Sequence, residues 1–432
     1  MARWRGFPFP SKSSLATRWK RDGPRLGSIV MSDQALPPAI LVDDDGGMGE
    51  LLDDLNDQEI IAVDTEADSF FSYREKVCLV QITVEDRDYI VDPLADIDLD
   101  PLGEVFADSG KTKVFHDGEY DILILKRDYG FEFSNLFDTR VAAATLGAEA
   151  PGLASVLSEH FGVELDKSMQ RSNWGERPLS SRQIDYARLD TRYLIPLMDE
   201  LTQQLEERGR MMILEGECLR LESLVPQDIS FRPDEWVRVK GARTLEPVER
   251  SILKEIYAVR DEIAKESNSP LFRVINNQTL LSIARARPRS SSALTSIHGF
   301  SPRQARKFGS RILDGVKRGL DHGPIKRFPR LPAKDGTGNF DDAQVELHER
   351  LKTWRKNRAA EEGFDASLLL NRHALLRLVE VRPRKTEDIE SIDGIWNWQV
   401  DRYADEILAL IQEFEAELAE GADFSKRRRR SR

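Results

Sequence analysis

Two acidic residues, Asp64 and Glu66, stand one residue apart at the end of the apolar segment 60–63. Four apolar residues in succession favour a strand that is buried on both faces. Because residues i and i+2 of a strand point to the same side, the two carboxylates are expected to project together. Neighbouring carboxylates repel unless a cation lies between them, and hard divalent ions take oxygen ligands of this kind. Asp-x-Glu is also a short and common pattern, so the alternative is a strand that runs into an acidic turn.

Two more acidic residues lie downstream in helical patterns. Asp121 falls in the first turn of a helix predicted for residues 119–125, which follows a strand predicted for residues 113–116. Asp190 lies four residues after Tyr186 in another helical stretch, so both side chains share one helix face. An isolated Tyr-x-x-x-Asp pair is most often a surface pair. The ordered set of four acids on a strand, a helix and a helix is far more specific.

The elements around these acids predict an α/β layer fold with a mixed sheet. A charged hairpin turn is expected at residues 85–88, and helical patterning begins at Asp138. Strands are predicted at residues 60–63, 77–84, 89–91, 113–116 and 133–137.

These residues resemble the DEDD superfamily of 3′–5′ exonucleases in its tyrosine-bearing branch, and within it the bacterial ribonuclease D family. The resemblance implies a ribonuclease H-like exonuclease domain. Asp117 departs from the usual pattern, which has a small or amide residue there, but the spacing of the motif assigns Asp121 as the ligand. The motifs lie at residues 63–66, 115–121 and 186–191, with supporting matches at 78–82, 137–139 and 177–180.

The resemblance implies two divalent metal ions, Mg²⁺ or Mn²⁺, and no small-molecule cofactor. Two such ions can activate a water and stabilise the oxyanion that develops during phosphodiester cleavage. Asp64 is expected to bridge both ions. Tyr186 is expected to orient the attacking water, a role that suits a hydroxyl with an ordinary pKa near 10. The implied metal ligands are Asp64, Glu66, Asp121 and Asp190.

Four nearby residues have a structural and a functional interpretation. His116 is expected to be buried and bonded to backbone rather than to a metal, because hard cations prefer oxygen. Asp138 is expected to be an N-cap rather than a fifth ligand. Phe70 and Trp174 are candidates to stack on terminal RNA bases. Trp174 lies in the polar loop 171–175, where exposure is expected, whereas Phe70 could equally belong to the core.

The second half of the chain repeats itself at an offset of 95 residues, as in the pairs Arg260 and Arg355 or Leu280 and Leu375. Such a repeat indicates two copies of one helical module, each of which resembles the HRDC domain. The connector is expected to pack on the first domain. The predicted division is an extension outside the fold, disordered or mis-assigned (1–38), an exonuclease domain (39–225), a connector (226–241), a first HRDC domain (242–322), a linker (323–340), a second HRDC-like domain (341–420) and a disordered basic tail (421–432).

Charge is distributed unevenly along this acidic chain, whose formal net charge is −12. Residues 240–330 contain 19 Lys or Arg and 8 Asp or Glu, a net +11, whereas residues 341–420 contain 11 and 19, a net −8. The first module is therefore the candidate RNA-binding surface, and the second is expected to brace the domains. The alternative is a solvated helix surface. The candidate RNA contacts are Arg285, Arg287, Arg289, Arg303, Arg306 and Lys307.

Composition narrows the setting of the protein. No apolar run reaches the roughly 18 residues of a membrane span, so no membrane partner is expected. Cys78 and Cys218 lie far apart in apolar segments, which favours a reducing, cytoplasmic location. Nothing in the sequence indicates an obligate dimer, so a monomer is expected.

The expected function is metal-dependent 3′–5′ exoribonuclease activity that releases nucleoside 5′-monophosphates. The resemblance implies that the substrates are tRNA precursors and other small structured RNAs. One alternative is a DNA exonuclease of the same superfamily, because HRDC domains also accompany DNA helicases. Another is an RNA-binding scaffold without catalytic activity. The complete set of acids argues against it.

Overall fold

The computed structural model describes residues 36–329, 331 and 340–424. Residues 1–35, residues 330 and 332–339 of the linker between the helical modules, and the tail from residue 425 onwards lie outside the described residues. The predictions made for those three segments therefore stay predictions. Among the described residues, no helix is both long enough and apolar enough to span a membrane.

A six-stranded mixed sheet forms the middle of the first domain; the mixed sheet and five of its strands follow the predicted pattern, whereas the strand at Ile40–Val42 was not predicted. The spatial order of the strands is β1-β4-β3-β2-β5-β6. The strands β2, β3 and β4 are antiparallel neighbours, while β1 pairs with β4, β5 with β2 and β6 with β5 in parallel. The strands are β1 (Ile40–Val42), β2 (Ile60–Ala67), β3 (Val77–Val84), β4 (Arg87–Val91), β5 (Thr112–Phe115) and β6 (Leu136–Asp138).

Within the described part of the first domain, eight α-helices surround this sheet. Two of them, α3 and α4, end at Gly130 and Gly147, whose φ angles of +72° and +93° are the left-handed values that glycine adopts without strain. The helices are α1 (Asp45–Asn56), α2 (Asp100–Ala107), α3 (Glu119–Tyr129), α4 (Thr139–Leu146), α5 (Leu153–Phe161), α6 (Ser181–Arg192), α7 (Leu194–Glu207) and α8 (Met211–Glu222).

The last strand is shorter than the predicted strand 133–137. Asn135 has a φ of +54°, so the backbone there is not extended, and β6 begins only at Leu136. Phe133 is instead a core residue that stacks on Phe106, with ring centroids 5.3 Å apart.

The second half folds into two helical modules with the same succession of helices. Arg260 and Arg355 hold equivalent places: each is buried or half-buried and donates to a backbone carbonyl, of Ile275 at 3.1 Å and of Leu370 at 2.7 Å. The modules comprise α9 (Pro247–Glu266), α10 (Leu271–Val274), α11 (Asn277–Ala286), α12 (Ser291–Thr295) and α13 (Pro302–Asp321), then α14 (Asp342–Glu362), α15 (Ala366–Leu369), α16 (Arg372–Val381), α17 (Thr386–Glu390) and α18 (Asn397–Ala419).

The connector packs differently from the prediction. Trp236 is fully buried in the core of the first helical module, together with Val239 and Ala242, rather than against the first domain. The reason is apolar area: the module offers a contiguous hydrophobic core that the large indole can complete.

The second module packs against the first domain, as expected of a brace. Arg210 donates to the backbone carbonyl of Glu362 at 2.5 Å, and its guanidinium lies 5.4 Å from the ring centroid of Phe364. Ile213 of α8 and Ala144 of α4 are buried within the apolar core of this module.

Candidate active site

The first three acids lie near one another where β2 ends. Asp64 and Glu66 lie on β2, and Asp121 lies in the first turn of α3, directly after β5. Because β5 is the parallel neighbour of β2, the start of α3 is brought to this edge of the sheet. The carboxylate of Asp121 accepts hydrogen bonds from the hydroxyl of Thr65, at 2.5 Å, and from its backbone N–H. Asp121 is thereby fixed to the strand between the other two acids.

The fourth acid is delivered by α6, which packs on the face of the sheet that carries Asp64. Asp64 pairs in register with Gln81, and directly opposed residues of an antiparallel pair project to the same face. Thr83 also projects to this face, and its hydroxyl lies 2.7 Å from that of Thr191 in α6. This contact places Asp190, the preceding residue, over the same face.

A buried ion pair fixes the same helix to β4. The Arg188 guanidinium donates to the Asp88 carboxylate through Nε at 2.9 Å and through Nη2 at 2.5 Å, and both side chains are almost fully buried. Ser180 begins α6 with a capping box in which Gln183 is the reciprocal partner. The helix that carries Tyr186 and Asp190 is thus held at its start and along its buried face.

The proximity of the four acids is evident in their electrostatics. Burial raises the pKa of Asp64 well above its ordinary value, and the charges of the other three acids raise it further. Burial and the charges of Asp190 and Asp121 raise the pKa of Glu66 to about 9. Burial raises the pKa of Asp121 to about 6 and that of Asp190 to about 7. The site therefore concentrates more negative charge than an unaccompanied cluster can hold near neutral pH.

The donor set fits a divalent cation, although its oxygens do not yet converge. Within the ranges that the structure describes, no three His, Cys, Asp or Glu side chains are arranged to hold a metal ion. The charges of these acids nevertheless act on one another, and hydrogen bonds with Thr65 and Tyr186 hold Asp121 and Asp190. The amide of Gln81, opposite Asp64, is fully buried and has no hydrogen-bond partner in the same ranges. All-carboxylate donors beside a buried amide without a partner suit a hard cation with water.

Tyr186 lies at the edge of this cluster, half-buried and hydrogen-bonded to Asp190. Burial and then the charges of Asp190, Glu66 and Asp64 raise its pKa, so the hydroxyl keeps its proton near neutral pH. A protonated hydroxyl can donate to or accept from a water, which is the chemistry of a positioning group.

The expected exposure of Trp174 is wrong. Only 1% of its surface is exposed, and its ring centroid lies 5.9 Å from that of Tyr186. The cause is Arg177, whose guanidinium donates to the carbonyls of Trp174 and Cys78 and to the carboxylate of Asp92. These bonds fold the polar loop onto the sheet, so Trp174 supports Tyr186 and offers no open face to a base.

The residues around the second motif are structural. Asp138 is an N-cap, as predicted: it accepts bonds from the backbone of Arg140 and from that of Gly118. Nδ1 of His116 lies 2.9 Å from the hydroxyl of Thr139, and the ring also has a hydrogen bond to the backbone at Pro151. Burial lowers the pKa of His116 to about 4, which keeps the ring neutral. Asp117 is exposed and pairs with Arg140 instead of facing the other acids.

The remaining candidate RNA contacts lie on the surface. Phe70 is 42% exposed, so its alternative as a core residue is wrong. Arg285 donates to the hydroxyl of Thr244, and Arg287 pairs with Glu249 at 3.1 Å, so part of the positive charge is neutralised. The four that are exposed and have neither an ion pair nor a side-chain hydrogen bond among the described residues are Arg289, Arg303, Arg306 and Lys307.

Comparison with known proteins agrees with this architecture. The sequence profile of a family described as 3′-5′ exonuclease matches residues 39–206, and that of the HRDC domain matches residues 249–316 and 344–411. A ribonuclease D from Sphingobium indicum is 31% identical over 362 residues, which cover 82% of this chain and 89% of the relative. One from Desulfotalea psychrophila is 30% identical over 326 residues, which cover 74% and 85%. The chain belongs to the ribonuclease D family.

Solved structures agree with this membership in ribonuclease D. The catalytic core of RRP6 from Trypanosoma brucei has a TM-score of 0.63 and 27% identity, covering 72% of this chain and 86% of that one. Escherichia coli RNase D shares the fold, with a TM-score of 0.60 at 23% identity and coverage of 87% and 99%. The predicted fold, a ribonuclease H-like exonuclease domain followed by HRDC domains, is confirmed. As a ribonuclease D family member, the chain is a hydrolase of the 3′–5′ exoribonuclease class.

Proposed function

We propose that this exoribonuclease removes nucleotides from RNA 3′ ends by two-metal hydrolysis, with Asp64, Glu66, Asp121 and Asp190 as the metal ligands. The observation that carries the proposal is that Glu66, Asp121 and Asp190 lie near enough to Asp64 for the charges of all three to raise its pKa. A cluster of buried carboxylates is costly unless cations neutralise it. Two bound Mg²⁺ or Mn²⁺ ions would supply Lewis acidity and a more acidic water.

In this proposal, each side chain has a separate role. Asp64 lies centrally, since the charges of all three other acids act on it, and this position suits a bridging ligand. Thr65 holds Asp121 in place through its hydroxyl. Tyr186, with its proton retained, hydrogen-bonds the attacking water and aligns it with the 3′-terminal phosphodiester. The products are nucleoside 5′-monophosphates.

The substrates we propose are tRNA precursors and other small structured RNAs with single-stranded 3′ ends, processed by a monomer in the cytoplasm. The resemblance noted from the motifs supports the substrate class. The exposed cations of the first HRDC domain, Arg289, Arg303, Arg306 and Lys307, are suited to phosphate contacts on the body of such an RNA. Cys78 and Cys218 are buried and neither is in a disulfide, which fits a reducing compartment.

A denaturing gel tests this function. A 5′-labelled RNA with a 3′ extension should shorten stepwise from its 3′ end when Mg²⁺ is present, and a chelator should stop the reaction. A DNA of the same sequence, incubated in parallel, should be degraded more slowly. Stepwise shortening that continues in chelator would contradict the role of the metal, and faster degradation of the DNA would contradict the substrate class.

A further inference from the structure

Two half-exposed phenylalanines from different domains lie together beside the candidate active site. Phe70 belongs to the loop that follows β2, four residues after Glu66, and Phe272 belongs to α10 of the first HRDC domain. The exposed fractions of these side chains are 42% and 51%, and the ring centroids lie 6.4 Å apart in an edge-to-face arrangement. A large apolar side chain that stays half open after domain docking is available for a ligand.

The loop that carries Phe70 is held in a fixed shape. Asp68 closes it, because its carboxylate accepts from the backbone N–H of Lys76 at 2.9 Å and from the hydroxyl of Ser72. A loop braced in this way does not have to be ordered when a ligand binds, so less entropy is lost.

The same loop is bonded to the HRDC domain. The hydroxyl of Tyr73 donates to the carboxylate of Asp261 at 2.9 Å, and the backbone N–H of Tyr73 donates to Oδ1 of Asn268 at 3.2 Å. Asn268 lies only four residues before Phe272. These bonds fix the distance between the two phenylalanine rings across the domain boundary.

Positive charge flanks the ring pair. The guanidinium of Arg171 lies 5.8 Å from the ring centroid of Phe70, and that of Arg273 lies 4.3 Å from the ring centroid of Phe71. Both arginines are exposed. Aromatic faces interleaved with arginines are the features that bind single-stranded nucleic acid, with stacking for bases and cations for phosphates.

We propose that Phe70 and Phe272, with Arg171 and Arg273, form an aromatic clamp for the single-stranded RNA segment immediately upstream of the 3′-terminal nucleotide. This inference rests on the proposed function and adds a role for the HRDC domain. Phe272 is the residue through which the first HRDC domain contacts the single-stranded segment. The exposed cations of that domain contact the body of the RNA instead. The clamp recognises bases by stacking, which tolerates any sequence.

Binding assays on the full chain test the clamp. Fluorescence anisotropy of a labelled single-stranded RNA is measured on an Asp64→Asn background, which prevents hydrolysis during the titration. Phe272→Leu, which keeps an apolar side chain but removes the aromatic face, is expected to raise Kd by about 5-fold to 100-fold. Phe272→Trp should keep Kd near the parent value. Val381→Ala is the matched control, since Val381 is a 42% exposed apolar residue of the second module.

Two outcomes would overturn the clamp: an unchanged Kd for Phe272→Leu, or an equal rise in Kd for Phe272→Trp, which would indicate a packing role. A second readout separates this inference from the proposed function. Hydrolysis of a nucleoside 5′-(p-nitrophenyl phosphate), which has a scissile phosphodiester but no base upstream of it, should be the same with and without Phe272→Leu when Asp64 is present. Failure of the parent protein to cleave this ester would count against the proposed function, while the Kd values would still decide the clamp.

Discussion

Thr65, which lies between Asp64 and Glu66 in the first motif, supports a third acid of the site. Thr65 fixes Asp121 through its hydroxyl and backbone N–H, and these bonds lower a pKa that burial otherwise raises. A side chain that orients a metal ligand contributes to metal affinity without touching the ion. The acids themselves follow from sequence spacing, whereas this support follows only from the fold.

Replacement of this hydroxyl gives a sharp prediction. Thr65→Val preserves the shape of the side chain and keeps the backbone donor but removes the hydroxyl donor to Asp121, and is expected to raise the Mg²⁺ concentration for half-maximal hydrolysis by about 10-fold to 100-fold. The measurement is the initial rate of RNA shortening against Mg²⁺ concentration. Thr145→Val is the control, because the buried hydroxyl of Thr145 has no hydrogen-bond partner among the described residues and should be dispensable. An unchanged Mg²⁺ requirement in Thr65→Val would show that Asp121 needs no such support.

At the scale of elements, the packing of the second module depends on a glycine. Gly216 lies in α8, and a Cβ atom built there would lie 2.6 Å from Cδ1 of Trp396. Such a separation forces the indole away, and overpacking of this kind typically costs about 1–3 kcal/mol.

Gly216→Ala is therefore expected to lower the melting temperature of the protein, despite the higher helix propensity of alanine. Gly49→Ala is the matched control, because Gly49 is also within a helix, α1, and has nothing within 4 Å of its Cβ position. That control should stabilise by about 0.5–1 kcal/mol. Differential scanning calorimetry of both variants measures the contrast. If Gly216→Ala were as stable as the parent protein or more stable, Trp396 would be able to move aside with no loss of stability.

The elements also mark what sequence could and could not predict. Regular sequence patterns were sufficient to predict secondary structure: the run 77–84 is a strand, and the acids of β2 and α6 lie on the predicted elements. The burial of individual side chains depends on tertiary contacts. Trp174 is buried because Arg177 folds its loop onto the sheet, and Trp236 joins the helical module because that core has room for it. The roles of Thr65 and Gln81 depend on register between strands, which a single chain segment does not reveal.

At the scale of the whole molecule, the charge of the site connects metal binding to pH and stability. Carboxyls with raised pKa values hold their protons more tightly in the folded than in the unfolded protein. The free energy of unfolding of the metal-free protein should therefore fall as pH rises from about 4, the unfolded value, towards about 9, the value for Glu66. Bound cations offset this loss of stability, because they bind the ionised carboxylates.

The expected result is that Mg²⁺ raises the melting temperature more at about pH 8 than at about pH 6, where Glu66 and Asp190 retain more protons. Thermal unfolding with and without Mg²⁺ at both values measures the difference. Glu66→Gln, which removes the charge of one acid, should flatten the pH dependence of the metal-free protein. A larger Mg²⁺ effect at the lower pH would contradict this linkage.

The two HRDC domains extend the site outward from this charged centre. The first is bonded to the exonuclease domain beside the site through Tyr73, and the second is packed on α4 and α8. In the functions proposed above, substrate capture and chemistry occupy adjoining parts of one surface, so mutations should separate them.

The central claim is that four carboxylates, with Asp64 among them as the bridging ligand, drive cleavage at RNA 3′ ends. The most direct test compares the protein with its Asp64→Asn variant on the same 3′-extended RNA in Mg²⁺, with hydrolysis and RNA Kd measured on each. The account predicts that stepwise shortening is abolished while Kd stays within about 2-fold, since the amide keeps the shape of the side chain. Shortening by the variant at the unaltered rate would contradict the account.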